Sequence, residues 1–264
     1  MSPAAAEETL AGFRVRRCGE GQRVAVLVHG ALLSAASWEA FQQALRRDAP
    51  GWTTMALDLP GFGKAPAEPW DDYREMAGRL AGLFSLLRAT YEKLVIVGHS
   101  MGGGIALTML WHHGELLDGA IIMDSGLGQS QGDVSIGSIV GDLSSPPDSE
   151  AIRRIVRSWF LAPEDIDLDP LIRDAGRVSE DTFAGMLAAI RGHDLSADVS
   201  RFPAIPTLLL RGSQDRTRTA LEMQALLNLP GRPAYVEISG SGHCPQIERA
   251  TETAREVSAW LERM

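Results

Sequence analysis

The sequence predicts an α/β fold: a mostly parallel central sheet flanked by helices, with a helical cap inserted late in the chain. Three observations carry that expectation. Short apolar runs bounded by turn residues alternate with helical patterns along the chain, as βαβ units require. The runs at 94–97, 120–123 and 207–210 are apolar nearly throughout, which suits strands covered on both faces. The stretch separating the last two is far too long for a plain crossover.

Residues 12–18 and 23–28 read as early strands split by the Gly19–Gly21 turn, and residues 52–57 as the next, ending at Asp58-Leu59-Pro60-Gly61. The three apolar runs follow, and residues 235–238 close the sheet. Ala77, Leu80, Leu83, Phe84 and Leu87 form one stripe at helical spacing, and Ala250, Ala254, Val257 and Leu261 mark a closing helix. Within the long stretch, residues 126–147 hold five glycines among serines and aspartates, the composition of a loop. Two amphipathic helices come after it. Ile152, Ile155, Val156, Trp159 and Phe160 follow an Asp148 cap; Phe183, Met186, Leu187 and Ile190 follow a Ser179 cap. The expected organisation is a core of residues 1–126 and 201–264 with a helical cap at 127–200.

The 264 residues fit one domain with a sizeable insertion. With 34 acidic against 25 basic residues and a net charge of −9, nucleic acid and anionic membrane surfaces are disfavoured as partners. No run of eighteen apolar residues predicts a membrane span, and the first residues lack a secretory leader pattern. Two cysteines, Cys18 and Cys244, form no CxxC pair, so neither a disulfide framework nor a zinc site is expected. A cytoplasmic location follows as the expectation.

The motif with most chemical content is Gly98-His99-Ser100-Met101-Gly102, placed after an apolar strand and opening a helix. A serine on so sharp a strand-to-helix turn takes strained backbone angles, and side chains two positions either way would collide. The helix directs its first N–H groups toward charge developing on a substrate. A serine hydroxyl attacks only when a base takes its proton. Of six histidines, His243 stands in a small-residue loop, Ser239-Gly240-Ser241-Gly242-His243, between the last strand and last helix. That places it at the carboxyl edge of the sheet, where open α/β sheets carry their sites. His29 and His99 lie in motifs that point them elsewhere, His112 and His113 end the elbow helix, and His193 has no supporting motif. The imidazole needs a carboxylate to fix its tautomer. Asp215, in Gly212-Ser213-Gln214-Asp215, is preferred for its loop; Asp124, after the preceding strand, is its rival.

These motifs, in this order, resemble the α/β-hydrolase family from about residue 12 to 263. His29-Gly30-Ala31 resembles the family's oxyanion loop, and Asp58-Leu59-Pro60-Gly61-Phe62-Gly63 its Asp-x-Pro-Gly-x-Gly turn. The resemblance implies an oxyanion hole from the backbone N–H groups of Ala31 and Met101. No cofactor and no metal are expected. Ser100 stands where epoxide- and halide-processing relatives carry aspartate. Hydrolysis of a carboxylic ester or lactone through an acyl-enzyme is therefore the main expectation. Carbon–carbon bond hydrolysis, acyl transfer and a non-catalytic ligand-binding role are the alternatives. A cap above Ser100 has to roof the site, which makes Trp159 and Phe160 the candidate substrate contacts. Because no Arg or Lys stands beside the catalytic motifs except Arg216, the expected substrate is small, uncharged and largely apolar.

Overall fold

The computed structural model describes residues 6–70, 72–129 and 148–264. Among these, eight strands form one sheet: β1 (Ala6–Leu10), β2 (Phe13–Cys18), β3 (Arg23–Val28), β4 (Trp52–Asp58), β5 (Lys93–His99), β6 (Gly119–Met123), β7 (Thr207–Gly212) and β8 (Ala234–Ile238). Their order is β1-β2-β4-β3-β5-β6-β7-β8. From β4 to β8 every neighbouring pair is parallel; β1 and β2 form an antiparallel edge. β1 escapes apolar patterning because its residues are exposed or half-buried, none fully buried, as suits an edge strand. Its hairpin turns through Ala11 and Gly12, at φ 48° and 85°, with Leu10 paired to Phe13. Two residues at positive φ are what a tight turn matching strand twist demands.

Alternate residues of the central strands serve opposite faces. Val26, Val28, Ile96, Ile122 and Leu209 belong to an apolar cluster with α2 (Tyr73–Leu87) and α3 (Met101–His113). Leu27, Val95, Val97, Ile121 and Leu210 belong to a second, with α1 (Glu39–Asp48) and the closing helix Ala250–Leu261. The α2 stripe read from the sequence is buried whole.

Between β6 and β7 lie α4 (Ser149–Ser158), α5 (Asp169–Ala175) and α6 (Glu180–Gly192). Asp148 and Ser179 cap α4 and α6, accepting the N–H groups of Ala151 and Thr182. α5 carries no legible stripe; it is only about two turns long, with Pro170 in its first turn. Ile155, Val156, Leu171, Phe183 and Met186 join the same cluster as α2 and α3. The inserted helices thus bury their stripes against the sheet domain rather than forming a core of their own. Residues 130–147, most of the stretch read as a loop, lie outside the described residues. α7 (Ala220–Ala225) lies between β7 and β8, and α8 (Pro245–Glu248) and α9 (Ala250–Leu261) follow β8. Among the described residues, no helix is long and apolar enough to cross a membrane.

Candidate active site

Ser100 joins β5 to α3 at φ 52°, ψ −117°, a conformation L-residues rarely hold. The two flanking glycines make it feasible. A Cβ on Gly98 would overlap the Gly102 carbonyl, and one on Gly102 would overlap the Val28 carbonyl. The end of β6 anchors the turn: Ser100 N–H donates to the Met123 carbonyl at 2.9 Å, and Ser125 Oγ donates to the Ser100 carbonyl at 2.7 Å.

Three sequence-predicted side chains converge here. His243 Nε2 lies 2.9 Å from Ser100 Oγ, and His243 Nδ1 lies 2.8 Å from Asp215 Oδ2. Asp215 Oδ1 accepts the Thr217 N–H at 2.7 Å, which fixes the carboxylate plane. Burial is the largest influence on Asp215 and opposes its charge, but the facing His243 together with hydrogen bonds such as that from the Thr217 N–H outweighs it and holds the carboxyl down to about 2. Asp124 does not contact the imidazole in this chain of bonds; its Oδ1 accepts the Gly212 N–H at 2.9 Å instead.

The loop carrying His243 is held by partners no motif announced. His243 N–H donates to the Trp159 carbonyl at 2.8 Å, at the end of α4. Glu248 accepts from Gly242 N–H at 2.8 Å, Ser241 Oγ at 3.1 Å and Leu161 N–H at 2.7 Å. One carboxylate therefore ties the histidine loop to the inserted helices. His99 Nε2 lies 2.7 Å from the His243 carbonyl. A carbonyl only accepts, so this nitrogen carries the proton.

Burial first, and then the facing His243, lowers His99 to about 3, so it stays neutral in the fold while its unfolded counterpart gains a proton below about 6.5. The associated stability is complete above the unfolded value and drains as pH falls toward the folded one. Going from about pH 7 to about pH 4, the wild type should lose about 3 kcal/mol more than a His99→Gln variant. Urea midpoints of both proteins at the two pH values measure this; parallel acid losses would show that His99 does not contribute.

His29 shapes the predicted oxyanion loop. Its Nε2 accepts the Leu59 N–H at 3.1 Å, so Nδ1 bears the proton and donates to the Gly30 carbonyl at 2.8 Å. Burial lowers His29 and keeps it neutral. Leu33 N–H donates to the same carbonyl at 3.2 Å. In a trans peptide the N–H points opposite the carbonyl, so the Ala31 N–H is turned away from these donors. Among the described residues no acceptor engages it or the Met101 N–H. Gly30 packs directly beside the elbow, where a Cβ would come within 3.2 Å of Ser100 Cβ.

A cavity of about 130 Å³ opens at Ser100 and His243. Met101, Trp159, Leu187 and Ile190 give it an apolar wall; Tyr73, Gln129, His193, Arg191, Thr217 and Arg218 give it a polar one. Two expectations need correction. Trp159 lines this cavity as well as a neighbouring one, where Phe160 sits with Leu161, Gln214 and Arg216; Phe160 does not line the cavity at Ser100, because consecutive residues at a helix end diverge by about 100°. The premise of a site without nearby cations also fails. Arg216 turns away toward the Ser158 carbonyl, while Arg191 and Arg218 reach the cavity. Arg218 is neutralised there, donating to Glu222 and to the Gly128 carbonyl at 2.8 Å each; Arg191 sits exposed at the rim. His193, which no motif marked, is buried against Tyr73 with ring centroids 4.7 Å apart. Burial first lowers it to about 4, so it faces the cavity as a neutral imidazole.

The alpha/beta hydrolase family model matches residues 25–256, and the chain belongs to that family. An uncharacterised Mycobacterium tuberculosis protein is 32% identical over 121 residues, 45% of this chain but only 34% of that protein. A 2-hydroxy-6-oxononadienedioate/2-hydroxy-6-oxononatrienedioate hydrolase of Pseudomonas is 24% identical over 95% of this chain and 92% of its own length. The enol-lactonase of Burkholderia xenovorans LB400 has the same fold, with TM-score 0.81, 19% identity and coverage of 97% of this chain and 100% of its own.

Proposed function

We propose that this protein is a serine hydrolase that cleaves a carboxylic ester or lactone through an acyl-enzyme on Ser100. The observation that carries the reading is the unbroken line of hydrogen bonds from Asp215 through His243 to Ser100, opening onto a cavity. His243 Nε2 takes the hydroxyl proton as Ser100 Oγ attacks the carbonyl carbon. Asp215 keeps the second imidazole proton on Nδ1 and balances the imidazolium. The oxyanion faces the N–H groups of Ala31 and Met101, and His243 returns its proton to the leaving alkoxide. Water then repeats the sequence on the acyl-enzyme. No step calls for a metal or cofactor. The inserted helices act as the cap, with Trp159, Leu187 and Ile190 against an apolar acyl or lactone part.

Hydrolysis of a panel of short-chain esters and lactones by the intact protein, compared with Ser100→Ala, tests this. Cleavage that disappears with Ser100 supports the proposal; ester and lactone inertness of a folded protein overturns it. Within the panel, Trp159→Ala should reorder preference among acyl lengths more than it slows a minimal acetate ester. The Trp159 carbonyl that holds His243 survives this change. Phe160→Ala should instead cost about 3 kcal/mol of stability and leave the ranking alone.

One observation favours a second reading. Arg191 at the rim offers an anion contact, and the Pseudomonas relative's name describes a dicarboxylate. Carbon–carbon cleavage beside a ketone in a carboxylate-bearing substrate would use the same three side chains. Preference for a vinylogous 1,5-diketone acid over every ester, reduced by Arg191→Gln, would decide for it.

A further inference from the structure

Asp124 is completely buried and stands at φ 46°, a backbone conformation that disfavours most L-residues. Its Oδ1 is satisfied by the Gly212 N–H, but no donor among the described residues reaches Oδ2. One ligand-type atom each of Asp124, Asp215 and His243 lies within 4.8 Å of the other two. Asp215 already accepts from Thr217 on one oxygen and His243 on the other, so it has no proton to give. A buried carboxylate with an unsatisfied oxygen beside a second carboxylate is a costly arrangement. A proton on Asp124 Oδ2 removes both costs at once. Oδ2 becomes a donor, Asp215 is the acceptor within reach, and a single negative charge is left for His243.

We propose that Asp124 works as a neutral carboxylic acid whose proton is donated to Asp215, making it a positioning residue that sets the hydrogen-bonding strength of the Asp215–His243 couple. The line of bonds then has four members rather than three: Asp124, Asp215, His243 and Ser100. The surroundings agree. Arg211 is the nearby cation, but its guanidinium is spent on the Arg218, Ser213 and Asp215 carbonyls and on Glu237. Tyr235 and Glu237 on β8, His99 on β5 and Cys244 beside His243 are the other titratable groups facing this cluster. His99 stays neutral, and Cys244 and Tyr235 hold their protons, raised chiefly by burial. None offers Asp124 a compensating positive charge. Burial first, then Asp215, pushes Asp124 well above the ordinary carboxylate range.

The proposal rests on the Ser100 reading for its catalytic consequence, and its test has two arms that separate the two. The first is the acid limb of kcat/KM against pH, which reports protonation of the free enzyme's essential base. Asp124→Asn keeps an oxygen for Gly212 and an N–H donor for Asp215 at unchanged charge. Its limb should stay where the wild type has it, with turnover reduced less than tenfold. Asp124→Leu removes the donor, leaves Asp215 more basic, and should move the limb upward by about one unit. Were Asp124 ionised, both variants would delete an anion and move the limb downward, which overturns the proposal. Unmoved limbs in both variants overturn it too, leaving Asp124 a loop brace. If the leucine variant does not fold, the asparagine result alone still separates neutral from ionised. The second arm needs no substrate. Infrared spectra of the resting protein at neutral pH should show a protonated-carboxyl band that Asp124→Asn abolishes and Ser100→Ala keeps. Its absence from the wild type overturns the proposal even if ester hydrolysis is robust.

Discussion

Replacing Ser100 with alanine is expected to lower turnover by about six orders of magnitude, the scale reached when a triad nucleophile is lost. The remaining groups cannot substitute for it. His243 would have only water to activate, and no covalent intermediate could form. The fold should survive, because alanine carries the same Cβ that the turn already accommodates, and its backbone anchors to Met123 and Ser125 are untouched. The strain at φ 52°, ψ −117° makes a companion result available. Ser100→Gly should be equally inactive yet more stable by about 1–2 kcal/mol, since glycine relieves the backbone conformation. Thermal unfolding, turnover and labelling by an organophosphonate measure all three consequences. Near-full activity of Ser100→Ala, in a preparation cleared of other esterases, would remove Ser100 from the mechanism.

What the amino-acid pattern could reveal divides along a physical line. The elbow was legible because its constraint is local: Gly98 and Gly102 clear backbone atoms of the turn and of β3, and the signal spans five residues. The Asp215 and His243 loops were legible because small residues follow a strand at fixed spacing. Chain-distant partnerships left no such mark. Glu248 reads as an ordinary surface acid of the closing segment, yet it ties Gly242 to Leu161. His193 and Arg191 sit on a helix end whose orientation depends on how α6 packs, and periodicity cannot say which end faces a cavity. β1 carries too little apolar contrast, and α5 is too short for a stripe to repeat. Arg218 stood only three residues beyond Asp215, but its direction depends on Glu222 and Gly128 rather than on the motif.

Asp215→Asn should cost on the order of 10⁴ in turnover while leaving the binding of a substrate analogue intact. The magnitude follows from which amide atom must face which partner. Thr217 N–H needs an acceptor at the position of Oδ1, 2.7 Å away, and asparagine supplies one only through its single oxygen. That choice turns the amide nitrogen toward His243 Nδ1, 2.8 Å from the present Oδ2. An N–H₂ group there can only donate, so Nδ1 has to become the acceptor and the ring proton moves to Nε2. Nε2 then faces Ser100 Oγ with a proton on it and cannot act as a base. The fault is thus a wrong tautomer in an intact site, visible as lost turnover with normal analogue binding and normal folding. Asp124→Asn makes no such demand on the imidazole, since the Asp124 oxygen that has a partner meets the Gly212 N–H rather than His243. The two variants, assayed side by side on one ester, should differ by about three orders of magnitude or more. A loss concentrated in Asp124→Asn instead, with Asp215→Asn nearly active, would transfer the carboxylate role to the strand before.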